Sequence, residues 1–91
     1  MLNRGQIDAY LRHLGKERRL SPHTASNYAR DLRALAEFAE RGSLDDWRRL
    51  DSQHVRMFAA RSHAGGLSPR SVQRRLSATR GFFHYLMREG V

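Results

Sequence analysis

Two serine–proline pairs, Ser21-Pro22 and Ser68-Pro69, constrain the fold of this chain more than any other sequence feature. Serine at the N-cap followed by proline is a strong helix start, because proline has no N–H to leave unpaired there and its φ is already helical. Valine and isoleucine, which favour strands, together occur only four times. Glycines stand where helices should end, at Gly42, Gly65-Gly66 and Gly90.

These helix start and stop signals divide the chain into four predicted helices. Apolar residues recur at helical spacing in each one, as in a helix with one buried face. Leu44, Trp47 and Leu50 are spaced by three, which predicts a short turn under the core. We therefore expect an all-α fold in a single domain spanning residues 1–91. The expected helices run from about Arg4 to Arg18, from Pro22 to Arg41, from Asp51 or Ser52 to about Ala64, and from Pro69 to Glu89.

The apolar stripes also predict which face of each helix points inward. On the fourth helix, Phe82 is expected beside the inward face and Ala78 beside the outward one. The expected core residues are Ile7, Tyr10, Leu11 and Leu14, then Ala25, Tyr28, Leu32, Leu35, Ala36 and Ala39, then Val55, Phe58 and Ala59, and finally Val72, Leu76, Thr79, Phe83 and Leu86.

Charge narrows the range of partners. The formal net charge is +8, and Lys16 is the only lysine among 17 basic residues. Residues 1–51 hold 10 basic and 8 acidic side chains, whereas residues 52–91 hold 7 basic and 1 acidic. Such asymmetry suits a surface that meets phosphates, and the arginine fork can also contact a guanine edge. The alternative is a solubilising charge that reflects arginine codons in a GC-rich genome.

Several kinds of chemistry are not expected here. The five histidines show no metal-ligand spacing, and there is no phosphate-binding glycine loop or nucleophile motif. We therefore predict no catalytic residue, no metal and no cofactor, and do not expect this chain to be an enzyme. The absence of cysteine suits a reducing cytoplasm, and no apolar stretch has the length that a membrane helix requires.

The outward faces of the second and fourth helices carry the candidate binding residues. On the second helix, the acidic residues Asp31 and Glu37 are expected to lower the positive charge of the later part of the outward face. Arginines such as Arg12 are expected to add to the net charge without belonging to the binding surface. The outward set is His23, Ser26, Asn27, Arg30, Arg33 and Arg41 on the second helix, and Arg70, Arg74, Ser77, Gly81 and Arg88 on the fourth, with Ser71 alongside.

Two features refine the prediction for the fourth helix. Arg75 and Arg80 lie on the flanks of its outward face, where they would suit phosphates. Gly81 lies in mid-helix and costs about 1 kcal/mol relative to alanine. Close approach by DNA or by another helix would explain this glycine. The small residues around it would also let the helix enter a major groove.

These signatures resemble a known family. Two groups of residues carry the resemblance, one at the second helix and one at the fourth. The first group is Leu20-Ser21-Pro22-His23-Thr24, Tyr28 and Asp31-Leu32. The second group is Gly66-Leu67-Ser68-Pro69-Arg70-Ser71-Val72, Leu76-Ser77-Ala78, Arg80, Phe82-Phe83 and Leu86. The pattern resembles the amino-terminal core-binding domain of the tyrosine recombinases, or phage-integrase family. Trp47-Arg48-Arg49-Leu50-Asp51 and Phe82-Phe83-His84-Tyr85-Leu86 are similar to the Xer subfamily in particular.

The resemblance implies a four-helix orthogonal bundle, SAM-like, that forms one half of a clamp around double-stranded DNA. Its second and fourth helices would cross the major groove. The contacts it implies are His23, Thr24, Ser26 and Asn27 from the second helix and Arg70, Ser71, Arg74 and Arg80 from the fourth. Arg30 on the second helix and Ser77 on the fourth are added to these candidate contacts because helical periodicity places them on the outward faces.

The resemblance also implies a longer parent protein. The family's catalytic residues belong to a carboxy-terminal domain that is absent from this chain, so we expect a fragment of a site-specific DNA recombinase. The parent would act in the cytoplasm, at the nucleoid, with a sister recombinase, in tasks such as chromosome dimer resolution. The fragment alone is expected to be monomeric and away from membranes. Two rival hypotheses are a helical protein-interaction module with a basic face and an RNA-binding domain.

Overall fold

The computed structural model of the chain describes residues 2–17 and 20–90, and these ranges contain four α-helices and no strand. The predicted all-α class is therefore confirmed. No helix within these ranges is long and apolar enough to cross a membrane. The predicted end of the first helix at Arg18 falls outside the described residues. The helices are α1 (Gly5–Glu17), α2 (Pro22–Arg41), α3 (Ser52–Ala64) and α4 (Pro69–Arg88), with a short 3-10 turn at Trp47–Arg49.

Both serine–proline pairs begin helices as predicted. The Oγ of Ser21 accepts a hydrogen bond from the backbone N–H of Thr24 at 3.2 Å, and Ser68 caps Ser71 at the same distance. The third helix begins differently, since Asp51 accepts from the N–H of His54 at 3.0 Å. The His54 ring accepts in return from the N–H of Asp51, which completes a capping box. Each cap is worth about 1 kcal/mol.

The core forms where α2 packs against α1 and α4, while α3 packs against α4. Trp47 closes one side of it, with its ring centroid 4.9 Å from that of Phe82 in a T-shaped arrangement and its Nε1–H donating to the carbonyl of Asn3 at 2.9 Å. The predicted turn under the core is therefore present. The buried apolar residues are Leu2, Ile7, Tyr10, Leu14, Leu32, Leu35, Ala36, Ala39, Trp47, Phe58, Ala78, Phe82 and Leu86.

The prediction was wrong about the inward face of α4. Phe82 and Ala78 are fully buried, whereas Phe83 is only half-buried. Thr79 and Leu86 are buried as predicted, but the core face is centred on Phe82 rather than Phe83, a rotation of about 60°. The reason is that α4 packs against α1, α2 and α3 at once, so its buried face is set by three neighbours and includes the small residue Ala78.

Gly81 is explained by a neighbouring helix. A Cβ added at this position would overlap the hydroxyl oxygen of Tyr10 on α1 and come within 3.4 Å of its ring. Tyr10 is itself held among rings, with Phe82 and Tyr85 at 5.7 and 5.3 Å between centroids. Of the two explanations offered by the sequence, close approach by a helix therefore accounts for the glycine without any ligand.

Replacement of Gly81 by alanine is expected to lower the free energy of unfolding by up to about 2 kcal/mol. The overlap with Tyr10 costs about 1–3 kcal/mol and outweighs the gain in helix propensity. The matched control is Gly15→Ala on α1, where no atom lies within 4 Å of the added Cβ and stability should rise. Urea denaturation of both variants checks this, and Tyr10→Phe should relieve part of the Gly81→Ala loss. Equal effects at the two glycines would contradict the contact.

Candidate nucleic-acid interface

The predicted binding residues on α2 lie in its first three turns. His23, Ser26 and Arg30 are exposed, whereas Thr24 and Asn27 are half-buried. Thr24 belongs to the cap, because the Ser21 hydroxyl donates to its Oγ1 at 3.0 Å. The part of this face that is free to meet a partner is therefore formed mainly by His23, Ser26 and Arg30.

The predicted residues on α4 divide into two groups. Arg70, Ser77 and Arg80 are exposed, and Ser71 is half-buried in the helix cap. Arg74 is different, because its side chain is 30% exposed and its guanidinium is bound within the domain. Since α2 packs against α4, the two sets of residues belong to one pair of helices in contact.

The exposed arginines of these two helices lack carboxylate partners. Other arginines of the domain do have such partners, as Arg4 has Glu40 and Arg48 has Asp46. The Arg48 side chain holds the pKa of Asp46 well below its usual range, at about 2. Within the described residues, no acidic side chain lies within ion-pair distance of Arg30, Arg33, Arg70 or Arg80.

A buried ion cluster joins α2 to α4. Asp31 is fully buried, and its Oδ2 accepts a hydrogen bond from Nε of Arg74 at 2.9 Å. Its Oδ1 accepts from Nη2 of Arg74 at 3.0 Å and from Nε of Arg75 at 3.1 Å. Two arginines that are adjacent in sequence therefore share one carboxylate across the helix interface.

Arg75 makes a second hydrogen bond, away from Asp31. Arg75 donates through Nη1 to the Oγ of buried Ser62 on α3 at 3.0 Å, and its guanidinium lies 5.5 Å from the centre of the Phe58 ring. Hydrogen bonding to Asp31 is the largest cause that raises the pKa of Arg74 above its usual value. The guanidinium of Arg74 is therefore positively charged at any ordinary pH.

Comparison with known families decides what kind of domain this is. The model of the family described as phage integrase, N-terminal SAM-like domain, matches residues 7–90. The chain belongs to this family. The family resemblance found in the sequence is therefore confirmed, and with it the expected SAM-like fold.

The relatives of this SAM-like domain include proteins described as tyrosine recombinase XerC. The chain is 49% identical over 87 residues to that of Pseudomonas aeruginosa strain LESB58, which covers 96% of the chain and 29% of the relative. It is 48% identical over 86 residues to that of Pseudomonas fluorescens, covering 94% of the chain and 29% of the relative. The chain thus spans less than a third of the length of these relatives. No solved structure matches it significantly.

The sequence interpretation of this SAM-like domain missed the buried cluster. Arg75 was expected on an exposed flank, which is wrong, because the residue is 9% exposed and bound to Asp31 and Ser62. Asp31 was interpreted as surface charge that dilutes a basic face, although it is fully buried. A signal was present in the sequence, since at 100° per residue Asp31 lies only about 60° from Tyr28 and inside the core-facing arc.

Proposed function

We propose that this chain is the double-stranded DNA-binding domain of a tyrosine recombinase and that it grips DNA through α2 and α4. The observation that carries the proposal is the set of exposed arginines without carboxylate partners on these two helices. Cations without carboxylate partners on two helices that pack together attract a polyanion, because contact with phosphates releases condensed counterions. Membership of the phage integrase SAM-like family supports DNA over other polyanions.

The roles proposed for individual residues follow from their exposure and chemistry. Arg30, Arg70 and Arg80 are long, exposed and cationic, which suits contacts to phosphates. His23 and Asn27 carry donors and acceptors that reach base edges in the major groove. Thr24, Ser26, Ser71 and Ser77 are short side chains that let the backbone approach the groove wall while their hydroxyls contact phosphates or sugars.

The longer protein is part of the same proposal. In a recombinase of the XerC kind, this domain would hold one side of a recombination half-site while a separate catalytic domain cuts and rejoins the DNA. A sister recombinase such as XerD would occupy the other half-site, at the nucleoid in the cytoplasm, as in chromosome dimer resolution. The isolated chain would be monomeric and would bind weakly, because half of the clamp is missing.

Replacement of Arg70 by alanine is expected to weaken binding to any duplex and to reduce the slope of log affinity against log salt by about 1, because one phosphate contact is lost. Fluorescence anisotropy of a labelled mixed-sequence duplex, titrated at several salt concentrations, measures both quantities. Arg12→Ala is the matched control, since it removes an exposed arginine from α1 and should leave the slope unchanged.

Two results would count against the proposal. Equal effects of Arg70→Ala and Arg12→Ala would mean that the net charge, rather than the α2–α4 face, governs the interaction. Failure of the unsubstituted chain to bind duplex DNA even at low salt would favour a protein-interaction module with a basic face. Preference for a single-stranded or duplex RNA probe over DNA would favour RNA binding.

A further inference from the structure

The buried cluster carries more positive than negative charge. It contains the guanidinium groups of Arg74 and Arg75 and the single carboxylate of Asp31, which leaves one positive charge in excess. Asp31 is fully buried and the Arg75 side chain is 11% exposed, whereas that of Arg74 is 30% exposed. Arg74 is therefore the group of the cluster through which the excess charge reaches the surface.

The hydrogen bonds determine which atoms of Arg74 remain available. Asp31 binds the Nε and Nη2 of Arg74, so one edge of the planar guanidinium is held inside the domain. A guanidinium has five N–H groups in a fixed fork. The edge formed by Nη1 and the second N–H of Nη2 takes no part in the bonds to Asp31. That edge can still donate two parallel hydrogen bonds to a pair of adjacent acceptors.

We propose that Asp31 is a positioning residue that fixes the guanidinium of Arg74 so that its Nη1–Nη2 edge makes a bidentate contact with DNA. The ligand chemistry is a pair of acceptors side by side, either O6 and N7 of a guanine or two oxygens of a phosphate. This inference rests on the proposed function and deepens it. It assigns a positioning role in DNA binding to a buried residue that does not itself touch DNA.

The location of the cluster fits this role. Asn27 precedes Asp31 by one helical turn on α2, and Arg70 precedes Arg74 by one turn on α4, so each lies about 6 Å along its helix from the bridge. The cluster thus connects the two proposed contact regions. Arg75, which also donates to Ser62, donates to the same Oδ1 of Asp31 as Arg74 does, so the carboxylate is held by a second arginine.

Preorganisation explains why a carboxylate beside a DNA-contacting arginine can help binding. A free arginine loses the entropy of several rotatable bonds when it is immobilised on a base or a phosphate. Arg74 has already lost much of that freedom in the folded domain, because two of its nitrogens are bonded to a fully buried carboxylate that also accepts from Arg75. The cost is therefore included in folding and does not recur on binding.

The test is a thermodynamic cycle on the full chain with Asp31→Asn, Arg74→Ala and the double variant. The probe is the duplex that the unsubstituted chain selects from a randomised pool, and affinity is measured by fluorescence anisotropy. Arg74→Ala should lower affinity about 5- to 150-fold. Asp31→Asn alone should weaken DNA binding. In a chain that already carries Arg74→Ala, adding Asp31→Asn should change the affinity less than about twofold.

Two probes distinguish the source of the acceptors. Replacing the guanines in turn by 7-deazaguanine, which lacks the N7 acceptor, should remove the effect of Arg74→Ala at one position if Arg74 binds a base. If Arg74 binds the backbone, replacing phosphates by neutral methylphosphonates should instead remove the effect of Arg74→Ala at one position. An effect of Arg74→Ala that neither probe alters would overturn the proposed contact.

Arg74→Lys provides a measurement that does not depend on the folding of Asp31→Asn. Lysine keeps the positive charge but has no planar fork, and it cannot hold Asp31 and present a second bidentate edge together. Affinity should fall nearly as far as in Arg74→Ala, in a chain whose circular dichroism remains helical. Unchanged affinity in Arg74→Lys and Arg74→Ala, together with lowered stability, would show that the cluster is only structural.

The outcome is separable from that of the proposed function. If Arg70→Ala and Arg12→Ala gave the same slope of log affinity against log salt, the proposal that α2 and α4 bind DNA would be overturned. If the two slopes differ but the losses of affinity from the Asp31 and Arg74 substitutions are additive, DNA binding by α2 and α4 stands. Asp31 is then rejected as a positioning residue.

Discussion

Replacement of Asp31 by alanine is expected to lower the free energy of unfolding by about 3–5 kcal/mol, which is the usual cost of leaving a buried charge without its partner. The side chain of Arg75 is only 11% exposed, so its guanidinium would lose its carboxylate without gaining access to water. Arg74 can turn towards solvent and recover some hydration. Urea denaturation followed by circular dichroism measures the loss, with the midpoint and the slope fitted separately.

The control for Asp31 is another acidic residue of the same helix. Glu37 is exposed on α2 and forms no ion pair in the described structure, so Glu37→Ala should change stability by less than about 0.5 kcal/mol. A loss below about 1 kcal/mol in Asp31→Ala would mean that water reaches Arg75 and that the cluster is far less buried than its geometry indicates.

Replacement of Phe82 by alanine is expected to cost about 3–5 kcal/mol, the range for large aromatic residues in a core. Phe82 is fully buried and lies at the centre of the aromatic cluster. Its ring is 4.9 Å from that of Trp47, 5.7 Å from Tyr10 and 5.8 Å from Phe83. A domain of this size has a total stability of about 5–14 kcal/mol, so the variant should be close to unfolding at 25 °C.

Phe83 is the matched control because it is the same residue type at the next position of α4. It is only half-buried, so Phe83→Ala should cost clearly less than Phe82→Ala. The comparison tests the rotation of α4 directly. A larger loss at Phe83 would restore the inward face that the sequence pattern predicted and contradict the packing described above.

Local signals in the sequence predicted the secondary structure well. Ser21-Pro22 and Ser68-Pro69 define the starts of α2 and α4 because capping depends on residues only three positions apart. The same locality applies to Asp51, whose capping box closes with His54. These elements need no knowledge of the rest of the fold.

Tertiary packing was predicted less well, for a physical reason. The apolar stripe of α4 is broad, and Phe82 and Phe83 both satisfy its period, so the choice between them depends on which helices lie nearby. Asp31 and Arg75 illustrate the same limit. A charged residue is interpreted as exposed by default, and only its partner, 44 positions away in the sequence, reverses that interpretation.

The candidate site was partly predictable. The exposure of His23, Ser26, Arg30, Arg70 and Arg80 follows from helical periodicity and agrees with the structure. Arg74 appeared equivalent to Arg70 in the sequence, because both lie one turn apart on the same face. The carboxylate that distinguishes them comes from another helix. The assignment of all these residues to DNA stays a prediction until binding is measured.

Trp47 gives this domain a built-in optical reporter. It is the only tryptophan in the chain, it is 3% exposed, and its indole N–H is bonded to the carbonyl of Asn3. Its emission therefore responds to water entering the core and to release of the segment before α1. Fluorescence and circular dichroism thus monitor packing and helix content separately. A variant in which the two signals change at different urea concentrations has lost the cooperativity that a single core should confer.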